Sequence, residues 1–187
     1  MGWDGRGLSS LDKVNQHVVA EVLKRDRRTG YTLDTDATVI EAGKEEAQWT
    51  YKKEKGYQPL LGFLFELGLA LGDDFRDGNV PAGAGAVEFL ERCRQMMPKG
   101  KRIGYYRSDS AAYQAGVINW CFDHKVLFTI TADQDKGVKE TIGAIKEKDW
   151  QPHEGDRQIA ETVHTMNATK ESFRLIVQRW PKLQGDL

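Results

Sequence analysis

The order in which the hydrophobic periodicity changes along the chain is the feature that most restricts its fold. After an amphipathic first segment, three apolar segments have the pattern of strands, and the rest of the chain alternates between strand and helix patterns. Three antiparallel strands in a meander, followed by strand–helix units, produce a mixed sheet with helices on its faces. We therefore predict an α/β fold with a helical leader over residues 1–30 and a core over residues 31–187.

Local signals give approximate bounds for these segments. Ser9 and Ser10 precede a helix pattern that ends in a basic run before Gly30. Residues 31–40 alternate with period two, and Glu66-Leu67-Gly68 is typical of a turn between two strands. The further predicted elements are strands at 60–65, 69–71, 101–107, 126–132, 162–166 and 173–180, and helices from Pro81 to about 97, at 111–124 and at 137–148.

Composition excludes several classes of protein. The 187 residues carry 27 basic and 28 acidic side chains, so the chain is no polycation, although a local basic stripe is enough to bind phosphate. The longest apolar stretch, residues 60–71, is interrupted by glycine and glutamate, and we expect neither a membrane span nor a signal peptide. Two cysteines, Cys93 and Cys121, suit buried positions in a protein of a reducing cytoplasm.

Aspartates occur at two positions of the predicted sheet that suit a metal-binding or catalytic site. Asp34 and Asp36 lie two residues apart on the first predicted strand, so their carboxylates share one face. A divalent cation would relieve their repulsion, whereas a solvated strand face is the alternative. Asp109 follows the strand 101–107, where α/β sheets place functional groups, although it could instead cap the next helix.

Several runs, in their order along the chain, resemble bacterial DDE insertion-sequence transposases. Their first acidic motif is similar to residues 31–38 and their second to Tyr106-Arg107-Ser108-Asp109-Ser110. Residues 74–80 are similar to the segment that closes their third strand, and residues 159–164 and 173–177 also resemble the family. The resemblance spans about residues 7–181.

The resemblance implies an RNase H-like catalytic core that cuts transposon ends and joins them to target DNA, using two Mg²⁺ or Mn²⁺ ions. Asp36 and Asp109 then correspond to the first two metal-binding acids, with Asp34 as the alternative first acid. We expect Arg107, Arg76 and Asn79 to contact DNA, although Arg107 could instead form an ion pair with a neighbouring acid. Double-stranded DNA and further copies of the chain are the implied partners.

The family's third acid, a glutamate between a Tyr-x-x-Arg pair and a lysine on a later helix, has no counterpart before Leu187. Glu161 and Glu171 have different neighbours. We therefore expect a core truncated before the third acid, which binds metal weakly and cuts poorly.

Two other functions fit parts of the sequence. A chain without the third acid could be a domesticated remnant that binds DNA without cutting it. Residues 34–38 also fit the Asp-x-Asp-x-Thr loop of aspartyl phosphatases, with Asp34 as the nucleophile, but the short interval before residues 72–77 leaves little room for that family's other motifs.

Basic residues form local clusters, and one of these clusters is next to two aromatic residues in the sequence. Lys52, Lys53 and Lys55 follow Trp49 and Tyr51, a combination suited to phosphate contact and base stacking. Solvated lysines in a turn are the alternative interpretation.

Overall fold

The chain forms two compact units, which divide between Thr131 and Ala132. The computed structural model describes residues 6–180, and their side chains from residue 10 onward. Helix α1 (Arg6–Arg25), which covers most of the predicted leader, belongs to the first unit and buries Val19 and Leu23 in its hydrophobic core.

The first unit is built on a five-stranded mixed sheet. After α1 its elements are β1 (Gly30–Ala37), β2 (Ile40–Glu41), β3 (Gln48–Trp49), β4 (Lys55–Tyr57), β5 (Leu60–Leu64), β6 (Leu69–Asp74), α2 (Ala86–Met96), β7 (Arg102–Ser108), α3 (Ala115–Asp123) and β8 (Leu127–Ile130). The strand order is β6-β5-β1-β7-β8, with β6, β5 and β1 antiparallel and β1, β7 and β8 parallel. The predicted mixed sheet, with its meander of three antiparallel strands and its strand–helix units, is confirmed.

One face of this sheet carries the core. Tyr31, Leu33 and Thr35 of β1 are buried, while the residues between them are more exposed, so the predicted alternation is confirmed. Helices α1, α2 and α3 all contribute side chains to the cluster on this face. Phe63, which pairs with Asp34 on the opposite face, is exposed.

Helix α2 begins five residues later than its proline suggests. The segment 81–85 forms turns, and Gly85 precedes the helix with a left-handed φ of 69°, a conformation that glycine adopts without strain. Cys93 of α2 and Cys121 of α3 are buried as predicted, and burial raises the pKa of both thiols to about 12.

The chain segment that connects β1 to β5 forms a small sheet that was not predicted. Its order is β2-β4-β3, and each strand has only two or three residues, too few to show a period. The backbone of Gly78 lies against it: a Cβ there would be 2.5 Å from the Gly56 carbonyl oxygen and 2.7 Å from that of Gln48. The 77–78 segment is therefore held to this sheet by close backbone contact.

The second unit contains α4 (Lys136–Gly143), β9 (Gln151–Pro152), β10 (Gln158–His164) and β11 (Phe173–Arg179). The three strands form an antiparallel sheet in the order β11-β10-β9. Helix α4 stops five residues before its predicted end, and a 3-10 turn follows at Glu147–Asp149. Strand β10 begins four residues before the predicted position.

Glu91 connects α2 to α3 and makes stability depend on pH. Its carboxylate accepts hydrogen bonds from Arg94, Gln95 and the Trp120 indole, and these bonds lower its pKa from 4.5 to about 2. The stabilisation is present above pH 4.5 and is lost as the pH falls toward 2, because the unfolded chain takes up the proton first. Between pH 4.5 and pH 2, the melting temperature of Glu91→Gln should therefore fall less than that of the wild type. Glu88→Gln, an exposed position on the same helix, is the control, and a wild-type slope in Glu91→Gln would contradict the prediction.

Candidate functional site: two aspartates at adjacent strand ends

The two predicted acids stand at the carboxyl ends of neighbouring parallel strands. Thr35 of β1 pairs with Ser108 of β7, and the next residues along each strand are Asp36 and Asp109. Both aspartates line one small depression, together with residues of β5, α2 and the turns after Val80 and Ser108. The sheet therefore brings together two residues that are 73 positions apart in the chain.

Hydroxyl groups fix the register of these two strands. The Thr35 Oγ1 lies 2.7 Å from the Tyr106 hydroxyl and 3.2 Å from the Ser108 Oγ, which donates to the Thr35 carbonyl. Tyr106 is buried, and this burial raises its pKa, so it remains a neutral hydrogen-bonding group. Sequence reasoning missed Thr35 and Tyr106; a polar residue at an inward position of an alternating strand is the signal that identifies them.

Among the side chains that the structure describes, no cation neutralises either aspartate at these strand ends. The Asp36 Oδ2 accepts a hydrogen bond from the Thr38 hydroxyl at 3.1 Å, and the Asp109 Oδ1 accepts one from the Ala111 amide at 3.0 Å. The second bond caps the 3-10 turn Ser110–Ala112, so the capping alternative for Asp109 also holds. Within residues 10–180, no ion pair includes either carboxylate.

Asp34 has a different environment. Its carboxylate forms a two-pronged ion pair with Arg107, in which the Arg107 Nε lies 2.9 Å from Oδ1. The guanidinium also stacks 4.4 Å from the Phe65 ring centroid, and the hydrogen bonds to Asp34 raise the Arg107 pKa. The ion-pair alternative for Arg107 is therefore what the structure contains, and Asp34 is less suited than Asp36 to act as the first metal ligand or as a nucleophile.

Arg76 is a structural residue. Only 8% exposed, it donates to the carbonyl of Gln58 through Nε and to those of Ala82 and Ala84 through its terminal nitrogens. Burial lowers its pKa, an effect that the charge of Asp74 opposes. The three carbonyls accept four hydrogen bonds from Arg76, which leaves one of its five N–H groups for another partner, and a DNA contact at Arg76 stays a prediction.

Asn79, in contrast, is exposed and lines a cavity beside the small sheet. Its neighbours in that cavity include Trp49 and Tyr51. A DNA contact at Asn79 stays a prediction.

The 82–84 loop, of which Ala82 and Gly83 line the aspartate depression, is hydrogen-bonded to Gln114. The Gln114 Nε2 donates to the carbonyls of Gly83 and Ala111 at 2.9 and 2.7 Å. A Cβ at Gly83 would lie 2.3 Å from the Ala111 oxygen, so no larger residue fits without displacing the turn that follows Asp109. The loop and this turn therefore hold each other in place.

The donor types at the strand ends suit a hard divalent cation, since carboxylate oxygens are its preferred ligands. Two carboxylates are an incomplete set for two ions. In the described part of the chain, no three His, Cys, Asp or Glu side chains are arranged to hold a metal. No helix there is long and apolar enough to cross a membrane.

Known proteins resemble this chain at two levels. The catalytic domain of Mos1 mariner transposase is 10% identical to this chain, with a TM-score of 0.42. The match covers 71% of this chain and 68% of that domain. The HTLV-2 integrase catalytic core domain, in complex with magnesium and in a dimeric form, is 10% identical to this chain, with a TM-score of 0.40. The match covers 64% of this chain and 73% of that one. No curated protein sequence matches significantly. The family model described as transposase DDE domain group 1 matches residues 3–184, nearly the whole chain. The chain therefore belongs to the DDE transposase family.

Proposed function

We propose that this chain is the metal-binding part of a core that cuts and joins DNA strands in transposition, with Asp36 and Asp109 as two of the metal-binding acids of that core. The observation that supports the proposal is the pairing of Thr35 with Ser108, because it makes the two acids neighbours across parallel strands. The preference for Asp36 over Asp34 rests on Arg107, which neutralises only Asp34.

The residues around the two acids would keep them ready for a cation. The Thr38 hydroxyl and the Ala111 amide each orient one carboxylate, and the Tyr106–Thr35–Ser108 hydroxyl network holds the strands that carry them. Bound divalent ions supply Lewis acidity to the scissile phosphate and lower the pKa of an attacking water or 3′-hydroxyl. The substrate is then double-stranded DNA, and an assembly of several copies remains the expected active form.

Metal binding can be measured by thermal unfolding of the whole chain with and without Mn²⁺. At about ten times the dissociation constant, a bound ion should raise the wild-type melting temperature by about 3–6 °C. Asp36→Ala and Asp109→Ala should each remove most of this shift. Without metal, Asp36→Ala should unfold no earlier than the wild type, since one of two neighbouring negative charges is gone.

Two control variants make the result specific. Asp34→Ala should keep the Mn²⁺ shift, because its carboxylate is paired with Arg107. Asp156→Ala removes an exposed acid of the second unit and should also keep it. Equal shifts in the wild type, Asp36→Ala and Asp109→Ala would overturn the assignment, and loss of the shift in Asp34→Ala alone would transfer the first position to Asp34.

A further inference from the structure

A cavity of about 530 Å³ lies between the small sheet and the segment 78–82, outside the aspartate depression. Its volume is within the range of small-molecule sites. Two aromatic side chains line it while remaining largely open to solvent, Trp49 at 63% and Tyr51 at 71% exposure. Exposed aromatic rings beside a cavity are unfavourable in isolation and are typical of surfaces that bind a flat apolar group.

Polar groups at the same cavity favour a ligand with hydrogen-bonding edges. Gln58 lines it, is only 2% exposed, and its side-chain Nε2 has no hydrogen-bond partner, although its backbone is bonded on both sides to Arg76. A buried donor without an acceptor costs free energy that a ligand acceptor would recover. The amide of the exposed Asn79 supplies a second donor and acceptor at the rim.

The charge beside the aromatic rings favours an anionic ligand. Lys52 and Lys53 are exposed at the turn after Tyr51, where they outnumber the one exposed acid, Glu54, and the Lys52 Nζ lies 5.8 Å from the centroid of the Tyr51 ring. A flat group with polar edges attached to a phosphate is a nucleotide. Stacking on an aromatic side chain requires the face of a base, which a base inside a duplex does not offer.

The cavity also has a physical link to the two aspartates. Ala82 lines both the cavity and the depression that contains Asp36 and Asp109. Arg76 and Gln114 hold the loop that carries Ala82. A strand that leaves the aspartates therefore needs to pass only one loop to reach Trp49.

We propose that this cavity binds an unstacked base of the DNA strand held at the aspartates. Trp49 and Tyr51 would stack on the base, Gln58 and Asn79 would bond to its edges, and Lys52 and Lys53 would contact its phosphates. This inference rests on the proposed function, because a DNA strand at the aspartates is the source of the base.

The test is binding of a fluorescein-labelled oligothymidylate to the whole chain, at low salt and with EDTA so that metal binding plays no part. Trp49→Ala should weaken binding at least about fivefold, the lower end of what loss of one base-stacking ring costs. The same substitution should leave the affinity for an abasic strand of the same length, or for a blunt duplex, nearly unchanged, because both bind through their phosphates. Trp49→Phe should retain most of the affinity. In the wild type, DNA binding should quench the emission of Trp49, and this quenching should be absent in Trp49→Phe.

Trp180→Ala is the matched control, since Trp180 is 67% exposed and belongs to the second unit. Equal losses for normal and abasic strands in Trp49→Ala, or no loss at all, would overturn the stacking site. If the protein binds duplex DNA but Trp49→Ala does not distinguish normal from abasic strands, the proposed function is kept and the base-binding role of the cavity is rejected. If the wild type binds neither duplex nor single strands, both proposals fail.

Discussion

Phe89→Ala should lower the free energy of unfolding by about 3–5 kcal/mol, the usual cost of removing a buried phenyl ring. Phe89 of α2 is 1% exposed, and its ring lies directly against the glycine of β5, since a Cβ built at Gly62 would be 3.2 Å from it. Alanine would leave a cavity beneath the strand that pairs with β1. Urea denaturation measures the effect, which should correspond to a fall in melting temperature of roughly 6–20 °C.

Two further variants separate loss of packing from loss of an aromatic residue in general. Phe75→Ala, at a position 62% exposed, should cost less than about 1 kcal/mol. Gly62→Ala crowds the ring in the wild type, whereas in the Phe89→Ala background, of the three nearest atoms, only the Cys93 Sγ, 3.3 Å from the added Cβ, stays close, so its cost should be smaller there. Additive effects of the two substitutions would contradict the contact between this ring and β5.

Arg76→Ala should destabilise the first unit by about 3–5 kcal/mol, because three carbonyls lose a charged donor and each buried group left unsatisfied costs about 1–3 kcal/mol. The substitution leaves the carbonyls of Gln58, Ala82 and Ala84 without the guanidinium that satisfies them. Because Ala82 lines both candidate sites, we expect Arg76→Ala to weaken the Mn²⁺ shift as well. Thermal unfolding with and without Mn²⁺ measures both effects.

Arg76→Lys is the informative companion, because an ammonium group cannot reproduce a planar fork that reaches three carbonyls. It should recover only part of the lost stability. Arg92→Ala removes an arginine from an exposed pair with Asp74 and should cost at most about 1 kcal/mol. A loss in Arg76→Ala no greater than in Arg92→Ala would mean that the carbonyls find other partners.

The sequence predicted the frame of the first unit well because that frame depends on local patterns. The alternation in β1 and the Glu66–Gly68 turn each follow from a few neighbouring residues, and the observed strands match them. Element ends were predicted less well. Pro81 indicated a helix start, yet Arg76 and Gln114 hold the 82–84 loop in turns, and α2 begins only at Ala86. Contacts between distant residues overrode the local signal there.

The small sheet shows the same limit. Its strands are held by pairing with one another and by the close approach of Gly78, which no local pattern encodes. The second unit was predicted as a continuation of the core, because strand and helix patterns do not reveal with which elements a segment packs.

The two candidate acids could be chosen from the sequence, since motif residues and their strand positions are local properties of the chain. The ion pair that distinguishes Asp34 from Asp36 could not be predicted: Arg107 lies 73 residues from Asp34, and only the strand register brings its guanidinium to that carboxylate. The shared depression of Asp36 and Asp109, the structural role of Arg76 and the cavity beside Trp49 likewise arise only when distant segments meet. Side-chain periodicity determines which face of a strand a residue occupies, whereas the partner opposite it depends on the folding of the whole chain.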